Sequence, residues 1–118
     1  MAPLQAALAP LVGGFLLIAL LSTLLANAAA YFVMGDRASL RLAVAPGVTM
    51  ALVSLTAAVL PVYAVIAFAL VADFAVIYAV YDLPARSTAI VTAMHYALTV
   101  ILAYSVNSLL AIYQTAPG

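Results

Sequence analysis

Cysteine, tryptophan, lysine and glutamate are all absent from this 118-residue chain. Without cysteine there can be no disulfide, thiolate metal site or thiol nucleophile. Charge is nearly missing too: three arginines and three aspartates make up 5% of the residues and balance to a formal net charge of zero. A soluble domain carries roughly 25% charged residues, and binding to nucleic acid needs a basic patch or stripe. Neither is present, so no nucleic-acid partner is expected. The lack of tryptophan leaves tyrosine to anchor helices at the headgroup level. Tyr31, Tyr63, Tyr81 and Tyr113 each lie near an expected helix end.

What fills the chain instead is hydrocarbon. Seventy per cent of the residues are hydrophobic and the mean hydropathy is +1.35, which makes the lipid bilayer the expected surroundings. The length allows one domain, residues 1–118. Residues 11–34 carry no charge and would extend about 36 Å as a helix, against a bilayer core of ~30 Å. Ala26-Asn27-Ala28 resembles a signal cleavage site, but no Lys or Arg precedes the apolar run as a secretory signal requires, so an uncleaved span is expected. Gly35-Asp36-Arg37-Ala38-Ser39 ends that helix with glycine and offers serine as the next cap. Residues 42–72 form an uncharged run of 31 residues, too long for one span; with residues up to Tyr81 it suffices for two, divided near Pro61. The second helix is expected over about 45–60 with Pro46 in its first turn, or from an earlier start with a kink, the third over 62–81, and the fourth over about 88–113. The fold class is therefore an all-α integral membrane protein of four transmembrane helices in an antiparallel bundle.

Four spans place the loop charges Asp36, Arg37, Arg41, Asp82 and Arg86 on one membrane face. Every arginine lies in those two loops, and arginine-bearing loops favour the cytoplasm. Both chain ends are then expected outside the cell membrane. Three spans would split the arginines across the bilayer.

Two residues stand apart within the apolar runs: Asp73 and the single histidine, His95. Each lies nine residues from the charged turn Asp82–Arg86, so both are expected ~13 Å from one end of their helices. Asn27, eight residues before Gly35, falls at ~12 Å by the same rise. Thr88, Thr92, His95 and Thr99 follow helical spacing and share a stripe, and Ser22, Ala26 and Ala30 form a small-residue ridge suited to close helix packing. The candidate polar cluster is Asp73, His95, Asn27, Thr92 and Thr99. Its simplest role is a structural clasp between helices 3 and 4. A proton or ion site is the alternative, and pairing of Asp73 with a second chain is another. For the threonines, bonding back to their own helix is the plainer role.

Enzymatic readings find little support. No Gly-x-Ser-x-Gly elbow surrounds a serine, no phosphate-binding glycine loop occurs, and Asp73 and His95 are two ligands where a metal needs three or four. One histidine cannot supply two haem ligands. No cofactor or metal is expected.

The hairpin Ala72-Asp-Phe-Ala-Val-Ile-Tyr78, Val80-Tyr-Asp-Leu-Pro-Ala-Arg-Ser-Thr-Ala89 and Val91-Thr-Ala-Met-His-Tyr96 is similar to small haloarchaeal membrane proteins of unassigned function, with a fainter likeness to Yip1-type proteins in the polar turn before an apolar helix. The resemblance implies an integral membrane protein from a haloarchaeal source and carries no activity. The expected function is a non-enzymatic structural or accessory component, packing through its helices against a second copy or a membrane-protein partner. Proton or ion translocation through the Asp–His layer is the alternative.

Overall fold

The computed structural model describes residues 2–115. Its elements are α1 (Ala2–Met34), α2 (Leu40–Leu55), α3 (Val62–Tyr81) and α4 (Ala85–Thr115), with 3-10 turns at Gly35–Arg37 and Thr56–Ala58 and no strand among the described residues. Each of the four helices is long and apolar enough to cross a membrane, α2 when its following turn is included. This is the all-α, four-helix architecture that the hydropathy pattern predicts.

Two left-handed residues end the long helices at the charged loops. Gly35 follows α1 at φ 63, which glycine adopts without a Cβ penalty. Asp82 ends α3 at φ 53, a conformation that Asp and Asn tolerate better than most residues. The expected bounds of α3 hold, and the other three helices differ. α1 begins at Ala2 instead of Leu11: Pro3 falls in the first turn, where a missing N–H is no loss, and the helix runs through Pro10. A chain this apolar offers unwound backbone few partners, so one forfeited hydrogen bond costs less than ending the helix there. α2 starts at Leu40 instead of Ala45, because Ser39 Oγ accepts the Leu42 N–H at 3.3 Å. Pro46 is thus interior, and the helix tightens into a 3-10 turn after Leu55, short of Leu60. α4 starts at Ala85, before Thr88, whose N–H already donates to the Pro84 carbonyl at 2.9 Å.

The helices form a ring in which each packs against its chain neighbours and α1 closes against α4; the diagonal pairs make no close backbone approach. At the end carrying the charged loops, Ala29, Ala30, Ile77, Tyr81 and Val91 form one buried cluster, against which Ala38 and Leu83 of the two loops both pack. Both arginine-bearing connections therefore lie at the same end of the bundle. Towards the other end Met50, Val53 and Ala69 make a smaller cluster. Outside these clusters apolar side chains face outwards on every helix, among them Leu16, Phe32, Leu52, Phe68, Val71 and Ile101. A surface of that kind fits a multi-pass membrane protein.

α1 and α2 approach most closely, through small residues. Ala26 and Ala30 on α1 and Ala43, Gly47 and Ala51 on α2 are all buried. At Gly47 the approach reaches backbone: a Cβ there would stand 2.7 Å from both the Cα and the N of Thr23, and would collide with its Oγ1. Main chain cannot swing aside as a side-chain tip can. Gly47→Ala should therefore separate the two helices and destabilise the protein by about 1–3 kcal/mol, and Thr23→Ala should not rescue it. Gly13 and Gly14 meet nothing within 4 Å, so alanine there should leave stability unchanged or raise it by up to ~1 kcal/mol. Reversible unfolding in bicelles measures all four variants.

Candidate functional site

Three residues of the polar layer come from three helices, and α4 holds the centre. His95 is fully buried between α1 and α3, with Asp73 on α3 equally buried. His95 Nδ1 lies 2.7 Å from Asp73 Oδ2, and its Nε2 lies 2.9 Å from Ser22 Oγ and 3.1 Å from the Ser22 carbonyl oxygen on α1. One imidazole therefore ties three helices together. Aspartate and histidine meet as their matched depth predicts.

The carbonyl contact assigns a proton. A carbonyl oxygen only accepts, so a bond to it requires the tautomer with hydrogen on Nε2. One further proton lies between Nδ1 and Asp73 Oδ2. Asp73 Oδ1 is buried and has no hydrogen-bond partner, an arrangement that is expensive for a carboxylate in apolar surroundings and much less so for a carboxylic acid.

Serine, histidine and aspartate stand here in the order of a hydrolase triad, but the proton on Nε2 decides the chemistry. A general base must take the serine proton, and this nitrogen already donates. Ser22 also lies inside α1, where the backbone N–H groups are bonded within the helix and none is free to form an oxyanion hole. The arrangement joins α1, α3 and α4 through one imidazole. Among the described residues no three His, Cys, Asp or Glu side chains gather as a metal site.

The other expected members stand elsewhere. Asn27 makes no bond to Asp73 or His95; its Oδ1 is buried without a partner. It follows Thr23 by one turn, on the stripe of α1 that meets Gly47 of α2. Depth placed it in the layer, but its azimuth, five residues on from Ser22, turns it away from α4. Thr92 and Thr99 bond back along their own helix, to the carbonyls of Thr88 at 2.8 Å and His95 at 2.7 Å. Tyr81, expected as an interfacial anchor, is buried, with an unpartnered hydroxyl, whereas Tyr31, Tyr63 and Tyr113 are exposed. The loop charges Asp36, Arg37, Arg41, Asp82 and Arg86 are all exposed at one end. Ser22 is the member that the depth argument missed. It is the one serine in α1, and its place on the small-residue ridge was the available signal.

Beyond the clasp, away from the arginine loops, the bundle opens into an apolar cleft of about 220 Å³ among all four helices, with Ser22 and Thr99 in its wall beside Ile18, Met50, Val65 and Tyr96. A larger groove of about 440 Å³ between α1 and α4 shares Ser22 and Thr99 with it. The clasp therefore lies where the closed half of the bundle meets the open half.

The proton assignment separates three substitutions. Ser22→Ala retains the carbonyl acceptor and should cost under ~1 kcal/mol. Asp73→Asn can still donate to Nδ1 and should cost about as little. His95→Ala strands Asp73 and empties the centre, and should cost about 3 kcal/mol or more. Unfolding in bicelles gives the ranking.

No curated protein and no solved structure matches this chain. Residues 5–117 do match one family model, which supports neither a haloarchaeal nor a Yip1-type link, and over that span the chain belongs to a family of unknown function, DUF7473.

Proposed function

We propose that the protein is a small multi-pass component of the cell membrane that acts without catalysis, presenting its outer helix faces to a second copy or to a membrane-protein partner. The observation that carries this reading is the contrast between the two sides of its helices. The interior holds one fully satisfied imidazole that fixes three helices, while the outward faces are almost wholly apolar and the exposed charges lie at one end. So little surface suits water that contacts with other proteins run through the bilayer. The arginine end faces the cytoplasm by the positive-inside preference, with both chain ends outside.

Proton translocation is the second reading, favoured by the opening of the cleft onto Ser22 and by the unpartnered Asp73 Oδ1. Against it, Ile77, Val91, Ala29 and Ala30 are fully buried on the arginine side of the clasp.

Two measurements test the proposal. Cysteines introduced at Ser39 and Ser87 should label from one face and a cysteine at Thr115 from the other. Energy transfer between labelled copies, or between a copy and co-purified partners, should persist on dilution into excess lipid. Loss of all association on dilution would refute the accessory role, and flux in vesicles that Asp73→Asn abolishes, with the fold retained, would replace it with translocation.

A further inference from the structure

The helices differ in length in a way that four equal spans would not require. α4, from Arg86 to Thr115, covers about 44 Å, the thickness of a bilayer with both headgroup layers, ~40–45 Å. α1, at 33 residues, is longer still. α2 with its 3-10 turn, and α3 with 20 residues, each reach only about 30 Å from the arginine end, the thickness of the hydrocarbon core alone. The connection between them thus ends well short of the level of Tyr113–Thr115.

That connection is apolar. Val59, Val62 and Tyr63 are 82%, 75% and 77% exposed, and Leu60 is exposed with them. No charge occurs from Leu42 to Ala72. The Thr56 hydroxyl is used on the Val53 carbonyl at 2.6 Å, leaving the Tyr63 hydroxyl as the one free polar side-chain group of the turn. Its backbone is only partly paired: the N–H groups of Val59 and Leu60 donate to the Thr56 carbonyl and those of Ala64 and Val65 to the Pro61 carbonyl, while the carbonyls of Ala57, Ala58, Val59 and Leu60 have no backbone donor and look to headgroup water. Pro61 has no N–H to lose. The N–H groups of Val62 and Tyr63 remain, as first-turn donors of α3. An unbonded N–H is costly in the middle of the hydrocarbon and tolerable near headgroup water, which sets the depth.

We infer that the α2–α3 tip, Thr56–Tyr63, is a lipid-contacting surface that stays inside the membrane, seated among the upper acyl chains of the leaflet opposite the arginine loops. Only α1 and α4 emerge through that leaflet. The inference rests on the membrane placement proposed above. It makes α2 and α3 an inserted hairpin whose tip presents Val59, Leu60 and Val62 to acyl chains and lets the Tyr63 hydroxyl reach the headgroup boundary.

The chain has no native cysteine, so nitroxide labels at single sites test this directly in reconstituted vesicles. Labels go at Val59→Cys and, as a second tip position, Val62→Cys, with Leu20→Cys as a mid-helix reference and Thr115→Cys as an aqueous one. Accessibility is read with oxygen, which concentrates in lipid, and with a water-soluble nickel chelate. The tip labels should give an oxygen-to-nickel ratio severalfold above that of Thr115→Cys and close to that of Leu20→Cys. A tip ratio matching Thr115→Cys, with Leu20→Cys still oxygen-favoured, would overturn the inserted tip and leave the membrane placement standing. Nickel access at all four positions would overturn both.

Discussion

An imidazole in an apolar interior needs a partner at each nitrogen, and the arrangement of His95 follows from that requirement. Its Nδ1 meets Asp73 and its Nε2 meets Ser22, so α4 cannot rotate or slide without stranding a buried polar atom on α1, α3 or itself. Most of the other polar side chains in the helices lack this reach. Thr23, Thr49, Ser54, Thr92 and Thr99 all bond to carbonyls three or four residues back and hold nothing to a neighbour. Between membrane helices such pairwise bonds contribute little each. Their influence is on register, because every shifted alternative leaves Asp73 or His95 unsatisfied.

The clasp joins two unlike seams. Among the described residues no polar side chain bridges α1 and α2; the seam depends on Gly47 and its alanine neighbours, which let the backbones approach until a single methyl would not fit. Around α4 the packing is looser and the polar bridge supplies the specificity that shape does not. Above the clasp, Ile77, Val91 and the alanines of α1 close the arginine end. Below it, α1 and α4 diverge and the apolar cleft begins. Fixed and open halves meeting at one buried pair suit a protein whose outer faces adapt to neighbours while its core holds register.

The coarse architecture could be read from the chain because hydrophobic length and the placing of six charges leave few alternatives. The α3 bounds, Pro61 and Asp82, were legible because both residues punctuate backbone. The bounds of α1, α2 and α4 were not, because in so apolar a chain a proline or a threonine does not end a helix as it would in water: α1 runs through Pro10 and α2 through Pro46. The pairing of Asp73 with His95 followed from equal depth on adjacent helices. Asn27 was misplaced by the same arithmetic, since rise along a helix fixes height and says nothing of azimuth. Tyr81 shows the converse: a tyrosine at a helix end looks like an anchor, but its position two turns after Asp73 puts it on the buried stripe.

The central claim is that His95 bridges Asp73 and Ser22 within a single chain in the bilayer. Solid-state NMR on labelled protein in lipid measures this directly, through the dipolar coupling of His95 ¹⁵Nδ1 to Asp73 ¹³Cγ and of ¹⁵Nε2 to the Ser22 carbonyl ¹³C. The account predicts both couplings at hydrogen-bond range, and no loss of intensity when labelled chains are diluted with unlabelled ones. An imidazole without the Asp73 coupling, or a coupling that fades on dilution because the pair forms between chains, would contradict it.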